Sequence, residues 1–129
     1  MQHVILCGEN GRPLDVTEAA YAEVTLTDGA TVALNSALGR VFRLTAAGNR
    51  SILAPTNPVQ GRQITVIIQQ DATGSRLVTF ATGTGAFRFS GGLPFPTLTT
   101  TAGRKDKFVF QYDATDNRWD CLAAVLNFT

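Results

Sequence analysis

Charge is scarce in this 129-residue chain: Asp, Glu, Lys and Arg make up 16% of it, against about 25% in an average soluble domain. A surface so poor in charge has to be neutral and polar, or hidden against other chains. The formal charge is +1, and no run of Lys and Arg forms the counterion-displacing patch that phosphate backbones require. Nucleic acid is therefore excluded as a partner. The densest basic group, Arg104, Lys105 and Lys107, is interrupted by Asp106 and reads as a solvated turn.

Histidine and cysteine are almost missing. His3 is the one histidine, and Cys7 and Cys121 are the two cysteines, near opposite ends of the chain. His3 and Cys7 fall four residues apart in an extended segment, about 13 Å, whereas a nucleophile and its base must lie within about 3 Å. Three converging metal ligands cannot be assembled from this spacing. The expectation is no catalytic residue, no metal and no cofactor, hence not an enzyme. Buried free thiols are expected at both cysteines, with a Cys7 to Cys121 bridge as the alternative. No apolar stretch approaches the roughly 20 residues that span a bilayer, and Met1 to Cys7 lacks the charged start of a signal peptide. No membrane partner is expected, and the chain reads as made in a cytoplasm.

Two motif-like stretches fail on inspection. Asp113 to Asp120 has the acidic spacing of a calcium loop, but Arg118 stands where Gly is needed and Ala124 where Glu should chelate, so it reads as a turn. Gly83-Thr84-Gly85 lacks the third glycine of a dinucleotide fingerprint and has no helix behind it. Helix signals are weak everywhere. The single candidate is a turn or two within Pro13 to Tyr21, capped by Asp15 or Thr17.

Strand signals are frequent. Glu23 to Thr27 and Ala30 to Leu34 alternate apolar and polar residues around Asp28-Gly29, which predicts a two-residue hairpin. Val41 to Thr45 places Phe42 and Leu44 on one face. Ala54 to Gly61, with Pro55 and Pro58, is a loop. In Gln63 to Gln69, Ile64, Val66 and Ile68 share a face, and Arg76 to Phe80 is the expected hairpin partner after Asp71-Ala72-Thr73-Gly74. Phe108, Phe110 and Tyr112 share a face of the next strand. Trp119, Cys121, Ala123 and Val125 share a face of the last. Short strands with frequent turns and no amphipathic helix predict an all-β domain, an antiparallel β-sandwich or jelly roll. Length makes it one domain, residues 1–129.

The rings on strand faces are expected in the core. Phe87, Phe89 and Phe95 lie instead among glycines and prolines, with Leu93 beside them, where burial within one domain is harder to arrange. These four residues are the candidate interface with another subunit or partner.

Several motifs also come in a recognisable order: Gly48-Asn49-Arg50-Ser51-Ile52, Pro55-Thr56-Asn57-Pro58, Gly61-Arg62-Gln63-Ile64-Thr65, Gln70-Asp71-Ala72-Thr73-Gly74, Phe87-Arg88-Phe89, Pro96-Thr97-Leu98-Thr99, Asp106 and Trp119. This order resembles a β-rich module of tailed-bacteriophage virion proteins, found in tail fibres and capsid decoration proteins, and covers residues 41–129. Residues 1–40 match no such pattern and read as an attachment segment with a hairpin. The resemblance implies a homotrimer in the virion, with a structural or adhesive role and no catalytic residues. Two readings follow from it. One is a capsid decoration or cement protein, bound to the major capsid protein or another virion protein. The other is a tail-fibre or receptor-binding module that contacts host polysaccharide. The short chain favours the first.

Overall fold

A computed structural model describes residues 22–129. The expected turn near Pro13 to Tyr21, together with His3 and Cys7, lies outside the described residues. The fold is all-β. Its strands are β1 (Glu23–Thr25), β2 (Thr31–Val32), β3 (Val41–Ala46), β4 (Arg50–Ile52), β5 (Gln63–Gln70), β6 (Val78–Phe80), β7 (Phe87–Arg88), β8 (Lys105–Asp113) and β9 (Arg118–Phe128), with a short 3-10 turn at Ser36–Leu38. They form two sheets, one of six strands in the order β1-β3-β5-β8-β9-β7 and one of three in the order β2-β4-β6.

The chain alternates between the sheets as it advances. β1, β3 and β5 pair in parallel in the large sheet, and β2, β4 and β6 pair in parallel in the small one. Each circuit therefore stacks on the one before. Only then does the chain make a hairpin, β8 against β9, with β8 closing antiparallel on β5. The expectation of two antiparallel sheets is corrected: the small sheet is wholly parallel and the large one mixed.

Both other predicted hairpins are corrected with it. The Asp28-Gly29 corner lies between sheets. A type I′ turn needs positive φ at both central residues, and neither Asp28 nor Gly29 has it. Asp28 serves a different purpose, accepting from Arg50 Nε at 2.6 Å and Nη2 at 2.8 Å in the next corner. Likewise Arg76 to Phe80 does not return along β5. Asp71 turns the chain by accepting from the N–H groups of Thr73 and Gly74 and from Arg76, and the strand that follows joins β4. Gly74 has φ +74° and packs so closely that a Cβ would lie 2.8 Å from Thr100 O. Only glycine fits there.

The faces of the strands follow the alternation. By register Val24, Phe42, Val66, Phe108 and Ala124 form one inward row across the large sheet. Val32, Ile52, Val78 and Phe80 of the small sheet join the same core. Residues Glu23 to Leu34 belong to this stack as its first circuit, with Leu26, Val32 and Leu34 in the core.

β9 departs from simple alternation. Phe110 pairs with Cys121 and Val109 with Ala123, so Leu122 is an extra residue, a β-bulge that reverses the facing until a second register shift between Val125 and Phe128. Trp119 and Cys121 point into the core as expected, whereas Ala124 and Leu126 pack against it in place of Ala123 and Val125. Near the end of the strand Asn127 has φ +69°, and its N–H donates to Asp106 Oδ1 at 2.9 Å. The other oxygen of Asp106 accepts from Thr99 N–H at 2.7 Å. Asp106 is buried in the row of Leu44 and Ile68, and these two N–H groups are what make a carboxylate tolerable there.

Two outcomes are expected. Asp106→Ala leaves two backbone N–H groups without an acceptor, a loss of about 2–4 kcal/mol in urea denaturation, while a surface change such as Thr101→Ala falls within about 0.5 kcal/mol. Asp71, held by Arg76 and then by the Gly74 N–H, has its pKa lowered from 3.8 to about 2. Its folded-state value is depressed, so its contribution is present above the ordinary value and is lost as pH falls from about 4 toward 2. Thermal melts across that window are expected to show a shallower acid limb for Asp71→Asn than for the parent.

Candidate functional site

The Phe87 to Phe95 segment starts in β7, which pairs in parallel with β9 through Phe87 with Trp119 and Arg88 with Asp120. Alternation then turns Phe87 inward and Arg88 along the sheet. Phe87 is 1% exposed, packed 4.6 Å from the Phe110 ring and 5.0 Å from the Phe80 ring. Phe87 is thus corrected from interface candidate to core residue. Glycines at 83 and 85, both with positive φ, let the chain tuck this ring inside rather than present it.

The other three candidates are brought together. Phe89 is half-buried, 5.9 Å from the Phe110 ring and 6.0 Å from the Phe80 ring. Phe95 lies 5.0 Å from Phe89 and 5.8 Å from Phe80, yet is 43% exposed. Leu93 packs on the same core edge, and its N–H donates to Ser90 Oγ at 2.9 Å, closing a tight turn. The loop is pinned at both ends, by Arg88 to Asp120 and by Thr99 to Asp106. It presents a fixed apolar surface.

Beside this loop is a cavity of about 450 Å³ where β7 stops and β9 continues. Phe89, Leu93 and Leu122 give it apolar walls, and Arg88, Ser90 and Asp120 give it polar ones. Leu122 is exposed, turned outward by the same alternation that points Trp119 and Cys121 inward. Arg88 bonds Asp120 through Nε at 2.5 Å and Nη2 at 2.9 Å, and Asp116 through Nη2 at 3.2 Å. Asp120 first and Asp116 second raise the Arg88 pKa above its ordinary value, so the guanidinium is a permanent cation. The free thiol of Cys121 also borders the cavity, and burial pushes its pKa up. A thiol held protonated is a poor nucleophile.

The sequence reading missed Arg88, Asp120 and Leu122. A signal for the first two exists: Phe87-Arg88 and Trp119-Asp120 place opposite charges one residue after buried aromatics, as two paired strands in phase require. For Leu122 the signal is alternation itself, since Trp119 and Cys121 inward put it outward. Family models and curated proteins yield no match to this chain.

The distinction between Phe87 and Phe95 is measurable. Phe87→Ala empties a filled position and is expected to cost about 3–5 kcal/mol. Phe95→Ser trims a half-exposed ring and is expected to cost about 1 kcal/mol. Urea denaturation of the two variants checks the order.

Proposed function

We propose that this chain is a structural protein of a tailed-bacteriophage virion, without catalytic activity, and that it is a decoration subunit seated on the capsid shell. In this reading the two packed sheets are the sandwich of one subunit, and three copies assemble as a homotrimer. The observation that carries the reading is the patch made by Phe95, Phe89, Leu93 and Leu122. Phe95 touches Phe89, and Phe89, Leu93 and Leu122 border one cavity. A pinned, contiguous apolar surface of this kind marks a contact with another chain. The order of motifs resembling virion modules supplies the class of partner, and the low charge suits a subunit set among copies of itself.

A second reading has its own observation. Arg88, Ser90 and Asp120 stand next to the Phe89 ring at the cavity, which is polar and aromatic chemistry of the sort that contacts a host polysaccharide. That arrangement favours the tail-fibre alternative.

Incubating purified protein with undecorated capsids and with whole virions, followed by electron microscopy of gold-labelled protein, separates them. Labelled shells with Phe95→Asp failing to bind are expected. Label confined to tail tips would replace decoration with the fibre reading.

A further inference from the structure

The stack of circuits is closed on one side and open on the other. β8 seals the last circuit of the large sheet by pairing with β5. At the first circuit, among the described residues, β1 pairs with β3 alone and β2 with β4 alone. Leu26 N–H donates to Arg43 O at 2.8 Å, so by alternation the N–H of Thr25 faces away from β3. Edges left in this way recruit another strand, and a stack of repeats needs a capping unit at its end.

Apolar surface is open at the same place. A cavity of about 260 Å³ is walled by Val24, Leu26, Leu34, Leu38 and Phe42, all but the last of which precede the second circuit. Leu38 is 63% exposed.

The chain ahead of β1 has the length and the pattern of one more circuit. Val24 to Phe42 takes eighteen residues, and Val32 to Ile52 takes twenty. Twenty residues before Val24-Thr25-Leu26 stands Val4-Ile5-Leu6, and eighteen before Val32-Ala33-Leu34 stands Leu14-Asp15-Val16. Gly8-Glu9-Asn10-Gly11 falls between them as Asp28-Gly29 falls between β1 and β2. The turn that follows has its counterpart as well. Asn35 caps Ser36–Leu38 by accepting from Ala37 N–H at 3.0 Å. Thr17, eighteen residues earlier, has a side-chain oxygen suited to the same task, and Ala19-Ala20 follow it as Ala37-Leu38 follow Asn35. Recurrence at a near-constant spacing of this size is the signature of stacked units.

We propose that residues 3–20 form a further circuit that caps the stack of their own copy. Val4-Ile5-Leu6 adds to the open edge of β1 in parallel, and Leu14-Asp15-Val16 adds to β2. In that register Val4 and Leu6 take the phase of Val24 and Leu26 and cover the cavity, while Ile5 takes the outward phase of Thr25. The occupant is the same copy because of where the segment ends: Ala22 leads directly into β1, so the loop to be closed is no longer than those between the described circuits. The inference stands apart from the virion reading and assigns the first residues a place in the fold.

Hydrogen exchange on the full chain and two point variants test it. Amides of residues 4–6 and of Thr25 are expected to exchange at least about 100-fold more slowly than in an unstructured peptide. Leu6→Asp sets a charge against the cavity and is expected to lower the melting temperature by about 5 °C or more and to release the Thr25 amide, whereas Ile5→Asp changes neither. If Leu6→Asp does not fold, Leu6→Ala serves, with a smaller shift in the same direction expected. Exchange of residues 4–6 at the unstructured rate overturns the capping circuit, and so does an Ile5→Asp variant that loses as much as Leu6→Asp. Protection that vanishes when an assembly is diluted to monomers gives the cavity to the segment of another copy and overturns the assignment to the same chain.

Discussion

The Phe80 ring is the point on which both the core and the candidate surface rest. The small sheet consists of strands of two or three residues, too short to be stable by their own ladders. What holds them is packing across the core, and Phe80 makes most of the aromatic part of it. Its ring lies 5.0 Å from Phe108 and 5.4 Å from Phe110 in the large sheet and 5.0 Å from Phe87 in β7. It also supports Phe89 and Phe95 in the loop. One side chain therefore couples the two sheets, and the same side chain fixes the exposed patch. The surface cannot relax without loosening the core.

Polar groups do a different task. The ion pairs at Glu23, Asp28 and Asp71 are all partly in water, where such pairs add little to stability. Their placement matters more than their strength. Asp28 reaches from the first corner to Arg50 in the second, and Asn49 Oδ1 accepts from Leu77 N–H in the third circuit. At the opposite corner Ser36 Oγ donates to the carbonyl oxygens of Thr56 and Asn57, and Asn57 Nδ2 donates to Asn35 Oδ1. These contacts set which circuit stacks on which, a choice that interchangeable apolar rows leave open. Gln70 does the same deeper down, its amide pairing with both backbone groups of Arg76 like a short piece of ladder.

The faces of strands were legible in the sequence, and their partners were not. Phe42 with Leu44, Ile64 with Val66 and Ile68, and Phe108 with Phe110 and Tyr112 all point inward as alternation demands. Alternation has the same period whether the next strand returns antiparallel or crosses to a second sheet and comes back parallel. Local turn chemistry then misleads, since Asp-Gly suits a hairpin and equally suits a corner whose carboxylate binds the next circuit. The hairpin at β8 and β9 was readable because Asp113 closes its turn locally, accepting from Thr115 and Asp116 N–H. Of the four residues expected to stand out together, Phe89, Leu93 and Phe95 do lie side by side while Phe87 is core; Leu122 is outward by alternation, but nothing local shows that β7 ends beside it.

The shortage of charge takes on a sharper meaning once its distribution is known. In the described residues Arg43, Arg50 and Arg76 hold one carboxylate each, whereas Arg88 stands among three. A near-neutral total thus hides a concentration of charge around one arginine rather than an even spread. An even scatter of a few charges would serve solubility alone. In the assembly proposed above, the holding force has to come from apolar area, and Phe89, Leu93, Phe95 and Leu122 lie together beside Arg88, whose ion pairs fix the strand that starts the loop.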